Sequence, residues 1–239
     1  MGEVTLLNSL TLSKAKDNGA QSLENNNGNF PGPQDINNLA AEYDTGAYHQ
    51  PYNNTTSFVW ALPFGHGKRW GSGMSTAMDV LLGGWQLAGI NTLVPGEAIT
   101  FTYAPGTPFQ VSGIAQDFRG ANNYRPNVTC DPYAAAGQQS ITNWFNKDCV
   151  TIPVDPSQPF GNAGRNSVRG PKFWTLDFAA TKQVRLTDSA RIELRLEAFN
   201  MLDRANFTAP NGARTAAPFG TITSTYDPRQ VQLGVKMIW

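Results

Sequence analysis

Arg191-Ile192-Glu193-Leu194-Arg195-Leu196-Glu197-Ala198 alternates charged and apolar side chains along its whole length. Successive side chains of an extended chain point to opposite faces, so this stretch predicts a strand with one wet face and one greasy face. Just upstream, Trp174, Leu176, Phe178 and Ala180 alternate with Thr175, Asp177, Ala179 and Thr181. Leu186-Thr187-Asp188-Ser189 then makes a tight connection, and the two runs predict an antiparallel hairpin. The end of the chain repeats the pattern, with Val231, Leu233, Val235, Met237 and Trp239 interleaved with Gln230, Gln232, Gly234 and Lys236. Three weaker candidates lie earlier: residues 4–14, residues 55–64 with Phe58, Trp60 and Leu62 on one face, and residues 85 to about 103. Pro95-Gly96 interrupts the last, either as a kink in one long strand or as a turn between two shorter ones; one long strand is the expectation.

Strand length is the informative quantity. About ten residues at about 3.3 Å rise, tilted about 40°, cover roughly 25 Å along a membrane normal, the height of the apolar band on an outer-membrane barrel. Soluble sandwiches rarely need so much. Residues 15–54, 104–171 and 203–229 form long connections, whereas 186–189 is minimal and 65–84 intermediate, an alternation typical of outer loops and periplasmic turns. Magnitude decides which face meets lipid. Turning Arg191, Glu193, Arg195 and Glu197 outward would place two arginines in hydrocarbon at about 2–4 kcal/mol each near the midplane. The charged row therefore faces a polar interior, where neighbours such as Asp177 or Lys236 are available for pairing across strands. The fold class expected is all-β: an antiparallel transmembrane β-barrel segment of six long strands, too few to close a barrel.

Composition narrows the function. The chain has 239 residues, 18 basic and 18 acidic, and is only 15% charged but 40% apolar. Zero net charge without a Lys/Arg cluster removes the electrostatic term behind nucleic-acid binding, so no nucleic-acid partner is expected. Gly and Pro, at 23 and 16 residues, exclude a coiled coil or helical bundle. The longest apolar stretch, residues 77–90, is broken by Asp79, Gly83, Gly84 and Gln86 and is too short for a transmembrane helix. Met1-Gly2-Glu3-Val4 lacks the basic start of a secretory signal.

Several segments in order resemble the last part of large TonB-dependent receptors, particularly the group carrying an N-terminal carboxypeptidase-regulatory-like domain. They are Leu62-Pro63-Phe64-Gly65-His66-Gly67-Lys68-Arg69, Leu82-Gly83-Gly84-Trp85-Gln86-Leu87-Ala88-Gly89-Ile90, Phe160-Gly161-Asn162-Ala163-Gly164-Arg165-Asn166-Ser167-Val168-Arg169-Gly170-Pro171, Glu197-Ala198-Phe199-Asn200-Met201-Leu202-Asp203-Arg204-Ala205-Asn206-Phe207 and Asp227-Pro228-Arg229-Gln230. The terminal run, with Gln232, Gly234, Met237 and Trp239 in the key positions, resembles the C-terminal assembly signal of outer-membrane barrels. The resemblance implies residues 1–239 are the C-terminal barrel portion of such a receptor, in the outer membrane of a Gram-negative bacterium. It implies as partners the outer-membrane lipid, the remaining barrel and plug, the energy-coupling TonB protein and the barrel-assembly machinery, and it implies neither enzyme activity nor a cofactor. Members have a plug, an energy-coupling box and about 22 strands, so the chain is expected to be a fragment. The rival readings are a structural or adhesin-like barrel assembled from several chains, and a soluble all-β lectin or hydrolase.

Site candidates are few. A disulfide between Cys130 and Cys149 would tie down part of the longest outer loop and contribute about 3 kcal/mol by loop closure; the alternative is two unpaired small residues. Arg165, Asn166 and Arg169 sit where that loop returns to a strand, either as ligand contacts or as a Gly/Pro-shaped turn whose arginines satisfy carbonyls at the barrel rim. Trp60, Trp70, Trp85, Trp174, Phe178 and Trp239 are expected in an interfacial girdle, with a carbohydrate-stacking platform as the alternative. His49 and His66, the two histidines, are poor metal candidates and lie beside no nucleophile motif. Gly65-His66-Gly67-Lys68 lacks phosphate-loop spacing.

Overall fold

A computed structural model describes residues 3–18, 34–35, 38–104, 124–155, 157–187 and 189–239. Asp188, in the expected hairpin turn, and parts of the two longest connections lie outside the described residues. One antiparallel sheet dominates. Its six strands are β1 (Val4–Leu12), β2 (Tyr52–Ala61), β3 (Trp85–Val94), β4 (Phe173–Arg185), β5 (Arg191–Phe199) and β6 (Gln230–Ile238). They pair strictly in chain order, so the sheet is a meander with every connection joining neighbours. The sheet does not close: among the described residues β1 pairs only with β2, and β6 only with β5.

Register sorts the side chains onto two faces. Leu6, Phe58, Gly89, Phe178, Ala198 and Val231 lie opposite one another across the whole sheet. The next row down holds Val4, Trp60, Leu87, Ala180, Leu196 and Leu233. The opposite face carries Thr5, Ser57, Thr92, Thr175, Thr181, Gln183, Glu193, Arg195, Glu197, Gln232 and Lys236. Among the described residues nothing covers the apolar face at the edge strand, where Leu233 is 81% exposed. A water-soluble protein would bury this belt against a second layer, and its exposure beside a polar opposite face is the pattern of a sheet solvated by lipid on one side. Gly89 gives the belt its close fit, because the Phe58 ring occupies the space a Cβ there would need. The belt thins toward one end, where Asn8, Thr56 and Asn91 form a row; Asn8 Nδ2 donates to Thr56 Oγ1 at 2.6 Å, and Trp174 Nε1 donates to Asn91 Oδ1 at 2.5 Å.

Two expectations need correction. The strand starting at Trp85 stops at Val94 instead of running on past Pro95-Gly96. Ala98–Ile99 pairs instead with Val168–Arg169, because the chain turns away from the sheet into the loops. The charged row also pairs differently. Arg195 meets Glu193 at 3.4 Å and Glu197 at 3.6 Å, both on its own strand, while Asp177 accepts from the backbone N–H of Asn200 at 2.9 Å. Residues two apart on a strand share a face, so alternating charge supplies its own partners.

The long connections 13–51, 95–172 and 200–229 all leave one end of the sheet, and 62–84 and 186–190 leave the other. No helix among the described residues is long and apolar enough to cross a membrane. Among the described residues the main buried apolar cluster lies outside the sheet: Ile99, Phe101, Phe145, Val150, Ala163 and Val168 come together in the long connections, which form a packed cap on the strand ends. Phe101 meets Phe145 edge-on with ring centroids 4.8 Å apart.

Candidate functional site

The cap is held by a largely buried charge cluster that ties the connections 13–51 and 95–172 together. Arg125 grips Glu42 with both terminal nitrogens, at 2.6 and 2.8 Å, and both side chains are at most 2% exposed. Arg165 approaches from the other side: its Nε donates to the Glu42 carbonyl at 3.0 Å, and its Nη2 to the Asp17 carbonyl at 2.6 Å and to the Asp17 carboxylate. Forked, planar arginines suit this work because one guanidinium can satisfy several acceptors at fixed angles. Asn166, in the left-handed region with φ 50°, receives no strain penalty typical of bulkier residues and exchanges hydrogen bonds with Thr100. Arg169 donates to the carbonyls of Gly96 at 3.0 Å and His49 at 2.9 Å. Thus Arg165, Asn166 and Arg169 sit together in the returning turn, Arg165 and Asn166 buried, with both arginines serving backbone carbonyls. Cys130 and Cys149 are joined in a disulfide on the same cap, with Cα atoms 5.1 Å apart.

Beside this cluster the cap and the strand ends enclose a cleft of about 820 Å³. Val94 and Phe173, register partners on the polar face, form its floor. His49, Glu97, Arg169 and Tyr226 line its walls. The residues of the six-stranded sheet that line the cleft, Val94 and Phe173, are therefore on the face that carries Glu193, Arg195 and Glu197, not on the apolar belt. Tyr226 Oη donates to Glu97 Oε1 at 2.8 Å, and that bond, with burial and the carboxylate charge adding to it, raises the tyrosine's pKa. Burial, with smaller contributions from Arg169 and Lys14, pushes the His49 imidazole below its ordinary range. Its Nδ1 accepts the Ala15 backbone N–H at 3.2 Å, a role open only to the unprotonated nitrogen. Deeper in the cap, burial and then the neighbouring Tyr124 push the Tyr103 phenol up to about 12. Among the described residues no group of three or more His, Cys, Asp or Glu side chains is arranged to hold a metal.

The remaining sequence candidates lie on the sheet. Gln232 is on the polar face, donating to the Glu197 carboxylate, and Gly234 lies opposite Arg195. Met237 is on the apolar face, and Trp239 follows it beyond the strand, 87% exposed. Trp60, Trp85 and Trp174 are on the apolar face, the first two toward the short-connection end and Trp174 at the cap end with the Arg204 guanidinium 5.3 Å from its ring. Phe178 sits mid-belt instead of at a boundary, and Trp70 packs on Phe64 within the 62–84 connection at 5.1 Å.

An open meander of membrane-height strands, greasy on one face and polar on the other, with every long connection at one end, specifies an outer-membrane architecture. The family described as outer membrane beta barrel domain matches residues 2–232. The chain belongs to it. No curated protein and no solved structure matches the chain. For an outer membrane beta barrel domain the two faces acquire definite meanings: the belt of Leu, Val, Phe and Trp meets lipid, and the polar face with the cleft above it looks into the barrel interior. Glu42, Glu97, Arg125 and Tyr226 had no signal in the sequence beyond their residue type, since each is an isolated polar residue in a long connection.

Proposed function

We propose that this barrel domain is the C-terminal wall and loop portion of a TonB-dependent receptor that takes up a nutrient ligand through the outer membrane of a Gram-negative bacterium. One observation carries the reading: the long connections are folded into a cap whose cleft lies above the polar face, where a captured ligand would be handed to a barrel interior. A barrel with only a structural task has no use for loops with their own apolar core and buried ion pairs, each of which costs chain entropy to order. In this reading the cap supplies ligand contacts, Arg169 among them. The edges β1 and β6 pair with the remaining barrel strands, since unpaired backbone groups in lipid cost several kcal/mol each. The plug and the energy-coupling protein act on the completed receptor, and the last residues, Gln232, Gly234, Met237 and Trp239, present the chain to the assembly machinery.

Gene deletion tests it. Loss of this gene and loss of the energy-coupling protein are expected to impair growth on at least one common source in a panel of iron and carbon sources. Defects that never overlap overturn the reading. The two open edges also favour a second reading, an adhesin-like barrel completed by several copies of the chain. Immunoblotting of outer membranes with an antibody to residues 131–148 separates the two: a receptor gives one denatured band far above 26.0 kDa, a multichain barrel a band at that mass.

A further inference from the structure

The connection 62–84 contains the helix α1 (Thr76–Leu82), which buries none of its residues and leaves four large apolar side chains exposed. At 100° per residue, Ala77, Met78, Leu81 and Leu82 fall on one side, and Thr76, Asp79 and Val80 on the other. Asp79 faces the protein: its carboxylate accepts the His66 backbone N–H at 2.7 Å and packs against Gly83. Every other α1 side chain is exposed, Met78, Leu81 and Leu82 at 46%, 65% and 47% on the apolar side and Val80 at 42% beside Asp79. Two tethers fix where the apolar side looks. Trp85 Nε1 donates to the Leu81 carbonyl at 3.0 Å, and the Lys182 ammonium donates to the Gly83 carbonyl while lying 5.4 Å from the Trp85 ring. Trp85 and Lys182 are register partners on the apolar face, in the row continued by Leu194 and Val235. The C-terminal turn of α1 is thus anchored to the lipid-facing side of the wall, at the end opposite the cap.

From this geometry we infer that α1 is an interfacial helix, its Met78, Leu81 and Leu82 side chains inserted at the boundary between headgroups and acyl chains of the periplasmic phospholipid leaflet. The occupant is lipid because the exposed stripe is continuous with the lipid-facing belt through Trp85. The single cation on that stretch of the belt, Lys182, is also withdrawn beneath the helix end onto a carbonyl. The helix would seal the wall where the belt meets headgroups and keep Lys182 off the acyl chains. It does so whether or not the protein is a receptor.

Spin labelling of the whole protein in phosphatidylethanolamine–phosphatidylglycerol vesicles tests this. Nitroxides are placed at Leu81→Cys, Met78→Cys and, on the polar side, Thr76→Cys, with the native disulfide left oxidised. Labels at 78 and 81 are expected to be broadened more by oxygen than by a water-soluble nickel chelate, giving a positive depth parameter, and the label at 76 to give the reverse. A nickel-accessible label at 81 overturns the inference. So does a label there that is immobilised and shielded from both reagents, which would mean a protein partner or a second copy covers the helix.

Discussion

Glu42 is buried between Arg125 and Arg165, and it is the carboxylate that Arg125 grips with both terminal nitrogens. Removing one partner of a buried pair leaves the others charged and unsolvated, so Glu42→Ala is expected to destabilise the cap by about 3–5 kcal/mol. Limited proteolysis of the loops in assembled protein checks this: cleavage between residues 124 and 155 should become fast. Replacing Glu42 and Arg125 together with Leu and Met should recover part of the loss, because the uncompensated charge goes with them. His49 gives a pH dependence whose sign follows from its direction of shift. Its folded pKa lies below the ordinary 6.5, so the unfolded chain binds the proton more readily. The contribution is complete above that ordinary value and is lost as pH falls through the depressed folded one. Protonation at Nδ1 also ends the bond from Ala15. Denaturation of the cap should therefore shift to lower urea between about pH 8 and about pH 5, and His49→Gln should flatten that part of the profile. An unchanged profile in the variant would remove His49 from the account.

At the scale of the strand, one position decides whether a side chain meets lipid or water, and neighbours on β5 make the comparison direct. Leu196 lies mid-strand between Ala180 and Leu233 on the apolar face, and Arg195 beside it points to the polar face. Leu196→Arg is expected to cost about 2–4 kcal/mol of folding free energy in lipid. Arg195→Leu gives up two ion pairs of a half-exposed guanidinium, about 0–1 kcal/mol. Folded fractions in a urea series in phospholipid vesicles measure both, and equal costs would mean the faces are assigned wrongly. The strands were legible in the sequence because lipid on one side and water on the other enforce a period of two, clearest in β4, β5 and β6. Their ends were less so: β2 begins at Tyr52, earlier than alternation suggested, because Asn53, Asn54 and Thr55 continue the ladder with polar side chains on both faces. β3 ends at Val94 because Val168–Arg169, far away in sequence, recruits Ala98–Ile99.

For the whole molecule, the sequence indicated which connections are long but not that they pack. The cap core draws Phe101, Phe145, Val150 and Val168 from segments without a repeating pattern, and periodicity says nothing about such residues. The turn 165–171 stood out because Gly and Pro flank its arginines, whereas Glu42 and Tyr226 became significant only through partners distant in the chain: Arg125 for the first, Glu97 for the second. The meander imposes a stronger condition than any one contact. With six strands paired in order, the cap and the turn 186–190 must lie on opposite sides of the membrane. The C-terminal Trp239 is at the same end as that turn, and the longer, cap-forming connections are the outer ones by the asymmetry of such barrels. An epitope inserted at Gly137, an exposed cap position with open space around it, is expected to bind antibody on intact cells. The same epitope inserted after Ser189 should bind only once the outer membrane is permeabilised. Reversal of the two results would invert the molecule, place the cap in the periplasm, and make capture of an external ligand by the cleft impossible.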